Sequence, residues 1–177
     1  MNYFKNKMAL EENGYAIVSN IYSDREISQM LSCIENVNQT GNSFLKTKEL
    51  FAIRQLIKKI PALTKMVFNK KLTELISYLS ESNYFLTKAI YFDKPKASNW
   101  FVGYHKDISI SVDKKETVES YKNWTLKKGQ NGVQPPIKIL QDTITIRIHL
   151  DDTDENNGAL KVIPTSHLIR FVIKKFV

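Results

Sequence analysis

The chain has one cysteine, Cys33, so it cannot close an internal disulfide, and that suits a reducing compartment. Glycine and proline are sparse, six and five residues, which excludes collagen-like repeats and Gly/Pro-rich low-complexity sequence. No apolar run approaches the roughly 20 residues that a membrane span needs. Lys5 and Lys7 are followed by Met8-Ala9-Leu10 and then by Glu11 and Glu12, so the apolar centre of a secretion signal does not develop. The expectation is a cytoplasmic chain that spans no membrane. Acidic residues are outnumbered 18 to 26 by lysine and arginine, giving a formal charge of +8 and a pI near 9.4.

That excess alone would suit a nucleic acid. The basic residues, however, come as scattered doublets: Lys46/Lys48, Lys58/Lys59, Lys70/Lys71, Lys114/Lys115, Lys127/Lys128 and Lys174/Lys175. Such doublets read as solvated faces and loop ends. No nucleic-acid partner is expected, and a basic surface serves an anionic small molecule equally well.

What is present is enough apolar sequence, 42% of 177 residues, to bury the core of a single domain. Gly14-Tyr-Ala-Ile-Val18 reads as a strand. Ser23-Asp-Arg-Glu26 is a capping box that opens a helix carrying Ile27, Met30, Leu31 and Ile34. From Lys48 to Ser82 the spacing predicts helix, in two apolar stripes. One runs through Leu50, Phe51, Ile53, Leu56, Ile57 and Ile60 and breaks at Pro61; the other runs from Leu63 to Leu79. Those apolar positions read as core.

Beyond Asn83 the character changes. Strands are predicted over Tyr84–Phe92, Asn99–Val112, Thr143–Leu150 and Ala159–Ile163. Lys114 to Gly132 reads as a charged loop anchored by Trp124, Val133-Gln-Pro-Pro136 as extended chain, and Asp151–Gly158 as a turn. Thr143-Ile-Thr-Ile-Arg-Ile-His-Leu150 alternates strictly. Thr143, Thr145, Arg147 and His149 fall on one face and the aliphatic residues on the other. Helices first and strands afterwards predict an α+β chain with a β-sandwich or jelly roll towards its C-terminal side.

The stretch Asn99–Val112 holds the chemistry. His105 and Asp107 are two residues apart, so a strand presents an imidazole and a carboxylate side by side and turns Lys106 away. That pair is two legs of the facial triad that holds a non-haem Fe(II). The same spacing also serves a plain hydrogen-bonded pair.

Taken in order, Phe51-Ala-Ile-Arg54, Phe85–Pro95, Tyr104-His-Lys-Asp107, Val133-Gln-Pro-Pro136, Thr145–Asp152 and Asn157–His167 resemble the phytanoyl-CoA dioxygenase family of Fe(II)/2-oxoglutarate oxygenases. The likeness runs from about Leu10 to His167. It implies a double-stranded β-helix (jelly roll, cupin-like) with His105 and Asp107 as metal ligands. It also implies 2-oxoglutarate as cosubstrate, O2 as oxidant and ascorbate as reductant.

Lys88 and Arg147 stand at positions similar to ones that touch the cosubstrate in relatives, with Thr145 sharing the face of Arg147. A guanidinium on a polar strand face can clamp a carboxylate with two parallel bonds. Gln134 and Trp124 are candidates for a lid over a small-molecule substrate. Gly132 stands where relatives often carry a histidine. His149 and His167 read as structural: His149 as a hydrogen-bonded interior residue, His167 in the Pro-Thr-Ser-His turn.

The resemblance also sets a departure. The family's distal histidine and the arginine that pairs with 2-oxoglutarate come from later strands than this sequence contains. The chain therefore reads as one incomplete dioxygenase domain: residues 1–82 mainly helical, 83–167 the jelly-roll strands, and 168–177 an atypical tail. The expected function is 2-oxoglutarate-dependent hydroxylation of a small organic molecule, impaired by the missing strands. The alternative is a non-catalytic fragment or binding module that keeps part of the oxygenase fold.

Overall fold

The structure is a computed structural model, and it describes residues 3–37, 44–46, 51–80, 83–93, 103–155, 157 and 159–169. Helix α1 (Tyr3–Asn13) comes first, then α2 (Asp24–Glu35), strands β1 (Phe44–Lys46) and β2 (Phe51–Arg54), and the helices α3 (Leu56–Lys59), α4 (Leu63–Val67) and α5 (Lys70–Leu79). Strands β3 (Ile90–Asp93), β4 (Ile110–Val112), β5 (Lys122–Lys127) and β6 (Gln130–Gln134) follow, then α6 (Ile137–Gln141) and a 3-10 turn at Ser166–Leu168. Helices and antiparallel sheets are thus both present, in keeping with α+β.

The capping box forms as the sequence requires. The Ser23 backbone N–H donates to the Glu26 carboxylate at 2.8 Å, and the Glu26 N–H donates to the Ser23 hydroxyl. Glu26 also reaches the next helical layer. It accepts from Asn69 Nδ2 at 2.9 Å, while Asn69 caps α5 by accepting from the Leu72 N–H. One carboxylate therefore ties two helix starts together.

The core lies against one face of the first sheet. Met30 and Ile34 from α2, Ile53 from β2, Ile60, and Leu63 from α4 form one buried cluster, with Tyr91 and Leu150 packed on it. Each such side chain stabilises by roughly 1.5–3 kcal/mol when fully buried. A second cluster of Ile21, Leu72 and Leu75 joins α5 to the N-terminal segment, with Tyr3 and Val18 against it.

Strand order is β1-β2-β3 in one sheet and β4-β6-β5 in the other, all antiparallel. The sheets are joined at a corner. Gln55, left-handed at φ 56°, donates through Nε2 to Gln130 Oε1 at 2.7 Å, and Gln130 Nε2 donates to the Val112 carbonyl at 2.9 Å. Lys58 pairs with Asp113 at 3.1 Å beside that bridge.

Several sequence expectations need correction. The stretch from Lys48 to Ser82 is not helical throughout: Phe51–Arg54 is a strand that pairs with Ile90–Asp93. The apolar run of Phe51, Ile53 and Leu56 fits either period when it is this short. The stretch Lys114–Gly132 is not all loop, because it contains β5 and the start of β6, turned by Lys128 (φ 50°) and Gly129 (φ 79°). Two successive positive φ values make the turn that suits a two-residue hairpin, without the usual Asn-Gly. Helices α1 and α6 lie outside the stretches that the apolar spacing predicts as helix.

Strand length is overestimated elsewhere. Tyr84–Phe92 is a strand only from Ile90, and the stretch ending at Val112 only from Ile110. Gly14–Val18, Thr143–Leu150 and Ala159–Ile163 carry no ladder with the described residues. A strand exists only through its neighbour, and alternation alone does not supply one. The alternation sorts burial only in part: Ile144, Ile148 and Leu150 are half-buried and Thr143, Thr145, Arg147 and His149 exposed, but Ile146 is exposed as well. Leu50, Asn99–Val102 and the tail from Arg170 lie outside the described residues. Among the described residues no helix is long and apolar enough to cross a membrane.

Candidate functional site

His105 and Asp107 lie just before β4, in chain that has no ladder of its own, and both are exposed. Pairing starts three residues after Asp107, where Ile110 faces Val133 of β6. The pair therefore lies in the segment that leads into β4, rather than within a strand as expected.

Three hydrogen bonds hold this segment. His105 Nδ1 lies 2.8 Å from the Gly103 carbonyl oxygen. A carbonyl can only accept, so Nδ1 carries the proton and the lone pair of the neutral ring is on Nε2. Metal-binding histidines are held in this way by a hydrogen bond on the other nitrogen. The intervening Lys106 donates to the carbonyls of Ser166 at 2.8 Å and Ile169 at 2.7 Å.

The turn that Lys106 grips is itself docked on α1. The Thr165 N–H donates to the Asn13 carbonyl at 2.8 Å, and His167 Nε2 donates to the Glu11 carbonyl at 3.1 Å. Both satisfy carbonyls that the helix end leaves without partners. His167 thus has the structural role expected of it. His149 bonds Thr153 Oγ1 through Nδ1 at 2.6 Å, so it is hydrogen-bonded as expected but exposed rather than interior.

An imidazole with its tautomer set and a carboxylate two residues on are suitable donors for a divalent first-row metal. They are two donors. Among the described residues no group of three His, Cys, Asp or Glu side chains comes together to hold a metal ion.

The other candidates are dispersed. Lys88, Thr145 and Arg147 are exposed, Lys88 two residues before β3 and the other two in the alternating stretch. Gln134 is buried at 9% exposure and accepts from Asn123 Nδ2 at 2.6 Å. Asn123 is left-handed (φ 54°) at a register shift between Lys122 and Thr125, which makes a bulge. Gln134 therefore supports the bulge. Trp124, on that bulge, is half-buried and lines a cleft of about 300 Å³ with Lys115, Thr125, Leu126 and Asn131.

A larger residue at Gly132 would require the Thr125 side chain to turn aside. An added Cβ would meet the Thr125 hydroxyl at 2.8 Å.

One residue escaped the sequence reading. Arg54 ends β2, and its Nε is sealed from solvent without a hydrogen-bond partner among the described residues. An orphaned buried donor costs roughly 1–3 kcal/mol. The available signal was a cation closing the apolar run Phe-Ala-Ile, which the helical reading of that stretch concealed.

Comparison with protein families matches the model described as phytanoyl-CoA dioxygenase to residues 10–175 of the 177. No curated protein and no solved structure matches the chain.

Proposed function

Because the chain belongs to the phytanoyl-CoA dioxygenase family, we propose that it is built for Fe(II)- and 2-oxoglutarate-dependent hydroxylation of a small organic substrate, with His105 and Asp107 as metal ligands. The observation that carries this reading is the Nδ1–Gly103 bond, which leaves Nε2 as the donor nitrogen of an exposed His105 two residues from a carboxylate. When bound, the iron supplies O2 activation coupled to oxidative decarboxylation of 2-oxoglutarate to succinate and CO2. The protein's part is to hold and orient. His105 and Asp107 present one neutral and one anionic donor, and Lys106 anchors the segment between them to the Ser166–Leu168 turn.

Lys88 and Arg147 are assigned to the carboxylates of 2-oxoglutarate, with Thr145 beside Arg147. Gln134 positions Trp124 by holding the Asn123 bulge. The domain is read as cupin-like, with β4, β5 and β6 as one part of it, and the chain as acting in the cytoplasm without nucleic acid.

The test has two parts. Mn(II), the redox-silent stand-in, should bind the wild-type chain and lose at least about tenfold in affinity in His105→Ala and in Asp107→Ala. Succinate should form from 2-oxoglutarate with Fe(II) and ascorbate only where that binding is intact. Mn(II) binding indifferent to both substitutions would sink the ligand assignment.

A second reading, a binding module without catalysis, draws on the described residues gathering two donors and no third. Tight Mn(II) binding without succinate formation would favour it.

A further inference from the structure

No residue of α1 is fully buried, yet the helix is held at both ends. At its start the Tyr3 hydroxyl donates to the Lys71 carbonyl of α5 at 3.3 Å, and the Tyr3 ring lies 5.8 Å from that of Tyr78. Along its length Asn6 Nδ2 donates to the Ile17 carbonyl at 3.3 Å. At its other end the Glu11 carbonyl accepts from His167 and the Asn13 carbonyl from the Thr165 N–H. Its 11 residues, at about 1.5 Å each, therefore make a strut of roughly 16 Å between α5 and the Ser166–Leu168 turn. A helix that adds nothing to the core but joins two parts of the chain has a positional role.

What the turn holds is Lys106, whose ammonium donates to the Ser166 and Ile169 carbonyls at 2.8 and 2.7 Å. The segment around it has no ladder of its own, and pairing starts only at Ile110. Among the described residues, Lys106 is what ties the middle of this segment to a distant part of the chain. A segment fixed before a metal arrives has less freedom left to lose when the metal binds. We propose that α1 positions the metal pair. Lys106 and His167 are positioning residues that hold the His105–Asp107 segment to the C-terminal end of α1. The proposal rests on the reading of His105 and Asp107 as metal ligands.

Charge alone predicts the opposite behaviour. Lys106 is a cation beside a site for a cation, so its removal relieves repulsion and should tighten divalent binding. A lysine that is merely nearby thus gives tighter binding on substitution, and a positioning lysine gives weaker binding. The sign separates the two.

Mn(II) affinity is read by EPR in the wild type, Lys106→Met, Lys106→Arg, His167→Ala and the Lys106→Met/His167→Ala double variant. Lys106→Met should bind about tenfold more weakly, and Lys106→Arg, which keeps the charge and the donors, should recover most of that loss. His167→Ala should weaken binding at least about threefold alone and add nothing in the Lys106→Met background, where the connection is already cut. Tighter or unchanged binding in Lys106→Met, or additive effects of the two substitutions, overturns the proposal.

A second readout needs no metal. Backbone order parameters of residues 104–108 in the metal-free chain should fall by at least about 0.1 in Lys106→Met and in His167→Ala, and recover in Lys106→Arg. Unchanged order in Lys106→Met overturns the proposal as well. Mn(II) binding that ignores His105→Ala sinks the metal reading, and the order parameters then decide the positioning by themselves. Binding lost in His105→Ala but unaltered in Lys106→Met sinks only this proposal.

Discussion

His105 Nδ1 donates to the backbone oxygen of Gly103 at 2.8 Å, and this one bond decides which ring nitrogen is offered outward. The acceptor belongs to the main chain, so no side-chain substitution at position 103 removes it. The neutral ring should therefore appear as the Nδ1–H tautomer in nitrogen NMR of the metal-free chain. Zn(II) should then perturb Nε2 and leave Nδ1 protonated. A dominant Nε2–H form would contradict the ligand geometry.

A second prediction concerns Gly14, which closes α1 at φ +81° by donating its N–H to Leu10 at 2.9 Å. A Cβ there would collide with the His167 ring. Gly14→Ala should destabilise by about 1–3 kcal/mol in urea unfolding, from backbone strain together with the collision. Removing the ring should relieve only the collision. His167→Ala should hence cost less in the Gly14→Ala background than in the wild type, with a coupling of at least about 0.5 kcal/mol. Strict additivity would mean that the ring does not press on this glycine in solution.

How much of this was readable beforehand varies with the range of the interaction. The Ser23–Glu26 box lies within four consecutive residues, and it formed as written. Within the turn expected over Asp151–Gly158, the Asp154 N–H donates to Asn157 Oδ1 at 2.7 Å, and the Asn157 N–H to Asp154 Oδ1 at 3.1 Å. The strand at Phe51–Arg54 was misread because its identity depends on Ile90–Asp93, almost forty residues away, and four apolar-rich residues fit a helix equally well. The H-x-D pair was found through its spacing. Its tautomer was not, because a backbone carbonyl leaves no mark in the sequence. Arg54 was hidden for a related reason: an unsatisfied donor is defined by what surrounds it.

The bulge in β5 gives a third prediction, in the form of an ordering. Asn123 adopts φ 54°, and its amide is the donor to the buried Gln134 Oε1. Asn123→Gly keeps the backbone content but strands that oxygen, at a cost of about 1–3 kcal/mol. Asn123→Ala strands it as well and adds roughly 1–2 kcal/mol of left-handed strain. Alanine should therefore be the worse substitution in urea unfolding, reversing the usual preference for alanine over glycine. In both variants Trp124 emission should shift, because the bulge that places it in the cleft is loosened. Alanine equal to or better than glycine would show that the bulge is not held at Asn123.

The last prediction is a pH dependence that starts from Glu26. Its carboxyl is pulled down from 4.5 to about 2, first by the Ser23 backbone N–H, then by the Asn69 amide and the Ser23 hydroxyl. A carboxyl with a lower pKa in the folded than in the unfolded state contributes stability that is fully present above the unfolded value. That stability is lost as pH falls from 4.5 towards 2. Tyr22 acts at the other end. Burial first, and the Glu26 charge second, raise its phenol from 10.0 to about 12, while its hydroxyl donates to the Val67 carbonyl at 2.6 Å. A group that must stay protonated contributes below the unfolded value, and its contribution fades as pH rises from 10.0 to about 12. Glu26→Gln should flatten the acid limb of stability against pH and, by removing a charge that helps raise the Tyr22 phenol, make the alkaline limb shallower and end it at a slightly lower pH. Tyr22→Phe should flatten the alkaline limb and leave the acid limb in place. The check is urea unfolding across the pH range, and an acid limb unchanged in Glu26→Gln would refute the assignment.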